Sequence, residues 1–142
     1  MTREGGCLCG SVRYAVRGPL REILVCHCLE CRRWSGHAWT PTAARNEDLE
    51  ITGEDDLVWV RSPQSEHGAS RGFCRRCGAS MFWRSPKLGR TSISAGTLDD
   101  PSGLRVAAHI WVDHALEWEL PRDGLPAYPR GYPPDAPPLA WS

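Results

Sequence analysis

The seven cysteines of this 142-residue chain fall into three tight clusters: Cys7 and Cys9, then Cys26, Cys28 and Cys31, then Cys74 and Cys77. Thiolates suit zinc, which takes four protein ligands at a closed structural site and three at a catalytic one. Two pairs can close one four-thiolate site. The triplet left over supplies three ligands and can leave one coordination position open, so two zinc ions per chain are expected. Disulfides are the competing use, but an odd count leaves one thiol unmatched in any complete pairing. Met1 to Gly10 holds charges, glycines and cysteines where a secretory signal needs an apolar stretch of about 7–15 residues. A reduced, cytoplasmic protein is the expectation.

The spacings constrain the backbone. Tetrahedral zinc with Zn–S bonds near 2.3 Å holds its sulfurs roughly 3.8 Å apart, whereas residues i and i+2 of a flat strand lie about 6.6 Å apart. Each C-x-C or C-x-x-C pair must therefore sit on a turned segment. Gly5, Gly6 and Gly10 around the first pair and Gly78 after the last supply residues that turn readily. His27 or His37 could complete the triplet as a closed Cys₃His site, so the spacing alone leaves the fourth ligand undecided.

Charge is balanced at 17 basic against 17 acidic residues, which argues against nucleic-acid or anionic-membrane partners. No run approaches the roughly 18 apolar residues of a membrane-spanning helix. Sixteen of the basic residues are arginine. Arg32–Arg33 and Arg75–Arg76 adjoin cysteine clusters, where they either face an anionic ligand or offset thiolate charge.

The elements that must position these residues read as short strands. Val12, Tyr14 and Val16 alternate with Ser11, Arg13 and Arg17, the pattern of a half-buried strand. Ile23–Cys26 leads apolar into the triplet, and Leu29–Trp34 reads as a helical turn ended by Gly36. Further strands are expected at Ala38–Ala43, Leu49–Thr52, Leu57–Arg61, Ser70–Phe73, Ser80–Arg84, Thr91–Ala95 and Arg105–Val112. Turn signals recur roughly every ten residues between them, the rhythm of a mainly β, antiparallel domain. With 41% apolar residues, the whole of 1–142 suits one zinc-binding domain. Seven of the twelve prolines fall in 121–142, so that segment should wrap the surface in extended form and add no central strand.

Several common signatures are missing: no Gly-x-Gly-x-x-Gly, no P-loop and no His-Glu-x-x-His. Cys28-Leu-Glu-Cys31 resembles a redox C-x-x-C in spacing, but the third thiol at Cys26 and the all-β pattern oppose that use. A zinc ribbon would pair Cys28–Cys31 with Cys74–Cys77. Forty-two residues separate those pairs, against about 15–20 in a compact ribbon.

Three blocks carry a family resemblance: Gly5-Gly6-Cys7-Leu8-Cys9-Gly10-Ser11-Val12-Arg13-Tyr14, Cys26-His27-Cys28-Leu29-Glu30-Cys31-Arg32-Arg33-Trp34-Ser35-Gly36, and Phe73-Cys74-Arg75-Arg76-Cys77-Gly78. Together they resemble the signatures of the glutathione-dependent formaldehyde-activating enzyme family, also called the centromere protein V family. His109-Ile110-Trp111, Trp118 and Asp123-Gly124-Leu125-Pro126 are similar to its C-terminal pattern. The resemblance implies an Mss4-like β fold, a structural zinc on Cys7, Cys9, Cys74 and Cys77, and a catalytic zinc on Cys26, Cys28 and Cys31. It implies glutathione and a small aldehyde as partners. In that scheme Arg32 or Arg33, by charge and position beside the open site rather than by any matched motif, is expected to fix a glutathione carboxylate.

The chemistry agrees with that implication. Three thiolates on a dication leave a net charge of about −1, poor for polarising a carbonyl but suited to holding a further thiol as thiolate. The expected activity is that of a carbon–sulfur lyase or synthase of the S-(hydroxymethyl)glutathione synthase type. The alternative is a non-catalytic, zinc-dependent thiol-binding or carrier module. His109, in a strand-like segment, reads as a hydrogen-bonded core residue.

Overall fold

The computed structural model describes residues 2–142. The chain enters through β1 (Arg3–Gly6), which is antiparallel to β2 (Arg13–Val16). The alternation of Val12, Tyr14 and Val16 does what period-2 patterning requires, and all three side chains are buried. β3 (Ile23–Cys26) leads into α1 (Leu29–Ser35), which is capped by Cys28 and ended by Gly36. There follow β4 (Pro41–Arg45), β5 (Leu49–Thr52), β6 (Leu57–Arg61), β7 (Ser70–Cys74), β8 (Ser80–Arg84), β9 (Arg90–Ser94) and β10 (Val106–Ile110).

These strands make three sheets. An antiparallel sheet runs β1–β2–β5, and a five-stranded antiparallel sheet runs β4–β9–β8–β7–β6. The third is a parallel pair of β10 with β3, which departs from the antiparallel expectation. Parallel neighbours need a long crossover, and here most of the chain lies between the two strands. The architecture is otherwise mainly β and antiparallel, as an Mss4-like fold requires.

The core fills the space between the two antiparallel sheets. Phe82 stands at its centre, edge-on to Tyr14 with centroids 5.6 Å apart and stacked on Trp59 at 6.0 Å. Val12, Val16, Leu20, Met81 and Ile93 pack around it. Burying aliphatic and aromatic side chains of this size stabilises by about 1.5–3 kcal/mol each.

Two elements differ most from the sequence pattern, while β9 and β10 shift at their ends, to Arg90–Ser94 and Val106–Ile110. Ala38 and Trp39 precede β4; Trp39 instead bridges to Cys26, with its amide and carbonyl both paired at 3.0 and 2.7 Å. β1, with two glycines, has no strand signal of its own. It exists because a Cβ at Gly5 would collide with the Tyr14 ring and the Thr97 carbonyl, so only glycine lets β1 lie against β2.

The proline-rich segment wraps the surface. Ser142 and Leu20 exchange two backbone hydrogen bonds, 2.8 and 2.9 Å, and Arg45 stands over the Trp141 ring at 4.7 Å. Nearer its start, the His109 amide donates to the Pro126 carbonyl and the Tyr128 amide to the His109 carbonyl. No helix among the described residues is long and apolar enough to cross a membrane.

Candidate metal centres

All seven cysteines are unpaired thiols. Cys7 and Cys9 lie on the turn after β1, whereas Cys74 ends β7 and Cys77 lies on the turn that follows it. Each turn closes through a left-handed glycine, Gly10 at φ 81° and Gly78 at φ 76°, a conformation that costs other residues about 1–2 kcal/mol. The Gly78 amide donates to the Cys74 carbonyl at 2.8 Å, the Gly10 amide to the Cys7 carbonyl at 3.2 Å. The four sulfurs converge within 4.8 Å of one another. Cys7 and Cys9 are 3.6 Å apart and Cys9 and Cys74 3.8 Å, the separation tetrahedral zinc imposes.

The surroundings prepare thiolates. The Val12 amide points at Cys7 Sγ (3.3 Å) and the Arg76 amide at Cys74 Sγ (3.4 Å). Burial opposes ionisation of Cys7, but the bonds from Val12, Ser11, Cys9 and Cys74 outweigh it and bring its pKa down to about 6. Arg75 and Arg76 both pair with Asp56, at 2.8 and 2.9 Å. They serve this knuckle rather than an external anion.

The triplet is built differently. Cys26 ends β3, Cys28 caps α1 in extended conformation (φ −60°, ψ 154°), and Cys31 lies one turn into the helix. Cys28 Sγ accepts the Cys31 amide at 3.3 Å. The three sulfurs lie within 4.8 Å of one another. Trp34, Trp39, Trp83, Trp111 and Ile110 enclose them. Trp111 has φ 57°, an outlier for a bulky residue and a strain typical of functional sites.

Among the described residues no histidine nitrogen or carboxylate joins the three sulfurs within that distance. His37 is exposed, and His27 turns its Nε2 to His109 Nδ1 at 2.9 Å. The fourth-ligand alternative left by the sequence is therefore not built by either residue. Within the trio, charge settles on one sulfur: bonds from the Cys26 and Cys31 thiols hold Cys28 far below the ordinary thiol range, while Cys26 is pushed well above it by its bonds to Cys28 and Cys31 and by burial. A donor set of one ready thiolate and two thiols in contact fits a soft cation that would displace the remaining protons.

The site has neighbours that its motif does not announce. Arg71, on β7 and 4% exposed, directs Nη1 to Cys31 Sγ at 3.5 Å, donates from Nε to Ser62 Oγ at 2.9 Å and lies 5.2 Å over the Trp34 ring. The signal available was a charged residue inside a strand whose other residues are all uncharged. Of the two arginines marked by sequence, Arg33 lines a cleft of about 440 Å³ between α1 and the β6–β7 hairpin, whereas Arg32 does not, and its Nε is buried without a partner. His109 is a hydrogen-bonded core residue, as its strand setting suggests. It also bonds Asp123 Oδ2 through Nε2 at 2.8 Å, so Asp123, His109 and His27 form one chain. His114 Nδ1 accepts the Leu29 amide at 3.3 Å, satisfying a free donor at the start of α1.

Fold and site thus define a class: a β-sheet protein with a four-cysteine and a three-cysteine cluster, each able to hold a metal ion. The family model for the glutathione-dependent formaldehyde-activating enzyme matches residues 2–114, and the chain belongs to that family. A crystal structure of a Rhodobacter sphaeroides protein, a structural-genomics target, is similar in fold, with a TM-score of 0.57 and 22% identity. The match covers 88% of this chain and 98% of that one.

Proposed function

We propose that this chain is a zinc-dependent carbon–sulfur lyase/synthase that joins the thiol of glutathione to formaldehyde or a related small aldehyde, and cleaves the adduct in reverse. The observation that carries this reading is the three-sulfur cluster to which, among the described residues, no histidine or carboxylate adds a fourth ligand. Zinc held by Cys26, Cys28 and Cys31 would supply a position where one further thiol is kept deprotonated near neutral pH. In the forward direction the thiol sulfur bonds to the carbonyl carbon, the carbonyl π pair moves to oxygen, and the proton lost by sulfur ends on that oxygen. The product is a hydroxymethyl thioether, and atoms balance without any oxidant.

The protein's own residues shape this chemistry. Arg71 beside Cys31 offsets the surplus negative charge of three thiolates. The tryptophans around the triplet exclude bulk water. The four-cysteine cluster has no open position and is proposed as the structural zinc. Residues 2–142 are proposed to work as one unit, since the proline-rich segment is hydrogen-bonded to β10, beside β3 of the triplet.

The test is a saturable rate enhancement of adduct formation over the uncatalysed background. It should be lost in Cys28→Ser while the circular-dichroism spectrum is kept. Tight glutathione binding with no rate enhancement would replace this reading with that of a thiol carrier.

A further inference from the structure

The cleft beside the triplet carries charge that the protein itself does not answer. Arg33, Arg61 and Arg71 line it, together with Trp34 and Pro63. Its one carboxylate, Glu30, already accepts from Ser62 Oγ at 2.6 Å and from the Gln64 amide at 2.9 Å. Three guanidinium charges against one carboxylate leave a local excess of two, in a chain whose overall balance is zero. Among the described residues, none of these three arginines forms an ion pair with a carboxylate.

Arg71 joins this cleft to the cysteines. Its Nη1 and Nε are engaged by Cys31 Sγ and Ser62 Oγ, while among the described residues Nη2 finds no acceptor and is not sealed away from solvent. A buried guanidinium needs several acceptors to offset its desolvation. One more acceptor can be supplied from the cleft.

We propose that the cleft is a carboxylate-reading subsite for the incoming thiol, with Arg71 as the positioning residue that couples it to the triplet. This deepens, and rests on, the thiol-binding reading above. A carboxylate-bearing thiol lays its anionic tail against Arg61, Arg33 and the free edge of Arg71, while its sulfur reaches the triplet past Cys31. Arg71 touches a metal-site sulfur and not the reacting carbon, so its part is to fix the distance between the two halves of the site. Neutral thiols gain nothing from the cleft, and the discrimination among thiols resides in these arginines.

The experiment uses the zinc-loaded protein and S-methylglutathione, which keeps both carboxylates but has no free thiol. Calorimetry should show binding that weakens with added salt and falls about threefold to tenfold in Arg61→Gln and in Arg33→Gln, both solvent-facing changes. In cobalt-loaded protein, the absorption change caused by 2-mercaptoethanol should be unaltered by the same two variants. Arg71→Lys keeps the charge but loses the fork, and should shift the cobalt–thiolate band before any ligand is added. Absence of S-methylglutathione binding, or binding equal in wild type and in the Arg33→Gln/Arg61→Gln double variant, would overturn the proposal. Arginine-dependent S-methylglutathione binding with a cobalt spectrum indifferent to glutathione would uphold the cleft and remove the thiol-coordination reading instead.

Discussion

Asp123 shows how a single exposed carboxylate can fix the state of a buried ring two residues away in space. A carboxylate only accepts, so His109 must carry its proton on Nε2 to meet Asp123 at 2.8 Å. His109 Nδ1 is then an acceptor, and His27 must donate to it from Nε2 at 2.9 Å. Burial, and then the neighbouring His109, lower the pKa of His27 and favour its neutral ring, so its Nδ1 is left as a lone pair with no partner among the described residues. His27 lies between two cysteines of the triplet, and its amide is tied to the Ile110 carbonyl at 3.0 Å, so the chain braces the Cys-His-Cys turn from behind. Asp123→Asn should reverse the polarity of all three groups, because the amide oxygen stays with the Leu125 amide, as Asp123 Oδ1 does at 3.1 Å, and the NH₂ then donates to His109 Nε2. Nitrogen-15 correlation spectra of the imidazoles should then show both histidines changing from the Nε2–H to the Nδ1–H tautomer. Unchanged tautomers would contradict the chain. The donor-by-donor logic is invisible in sequence, where Asp123 and His27 are 96 positions apart (123 − 27) and only tertiary structure brings them together.

At the level of elements, the knuckles depend on glycine conformation more than on packing. A Cβ at Gly78 would meet nothing within 4 Å, yet φ is 76°, so Gly78→Ala should cost about 1–2 kcal/mol by backbone strain alone. Chemical denaturation should register that loss with an unchanged m-value. The same knuckle is tied to the start of β6 through Asp56, whose hydrogen bonds from Arg75 and then Arg76 lower its pKa. A depressed carboxylate stabilises the fold above its unfolded pKa, about 3.9, and loses that contribution as pH falls through the folded value. Asp56→Asn should therefore melt below wild type at pH 7, with the gap closing as pH falls below about 3.9 and through the depressed folded value; a gap constant with pH would mean that the ion pairs contribute nothing. Strands whose pattern is local were legible: β5, β6 and β8 run from Leu49 to Thr52, Leu57 to Arg61 and Ser80 to Arg84, as their short apolar segments and flanking turns require. β1 was not legible, because its glycines are selected by the Tyr14 ring across the sheet rather than by strand propensity. The parallel pairing of β10 with β3 escaped for a related reason, since residues 23–26 and 106–110 carry no mark of each other. The cysteine spacings named both clusters because ligand geometry forces short, turned motifs, whereas Arg71 reaches Cys31 only through the β6–β7 hairpin that carries it.

Across the whole molecule the two clusters differ in what they connect. Cys9 and Cys74 are 65 positions apart and their sulfurs 3.8 Å apart, so a metal held there joins the loop after β1 to the loop after β7 and hence the two antiparallel sheets. Cys26, Cys28 and Cys31 lie within one β3–α1 corner, already fixed by the Trp39 bridge and by the pairing with β10. Closing a long loop removes more unfolded-state freedom than closing a short one, and metal binding that exists only in the folded chain adds its free energy to folding. Elemental analysis of protein prepared without chelator should find two zinc ions per chain, and one at full occupancy with the triplet reduced would deny a tight second site. Cys77→Ser should lower the melting temperature far more than Cys28→Ser, whereas Cys28→Ser should remove the response of the cobalt spectrum to glutathione and Cys77→Ser, where it still folds, should not. Equal losses of stability in the two variants would dissolve the division between a cluster that holds the sheets together and a cluster left open for a ligand.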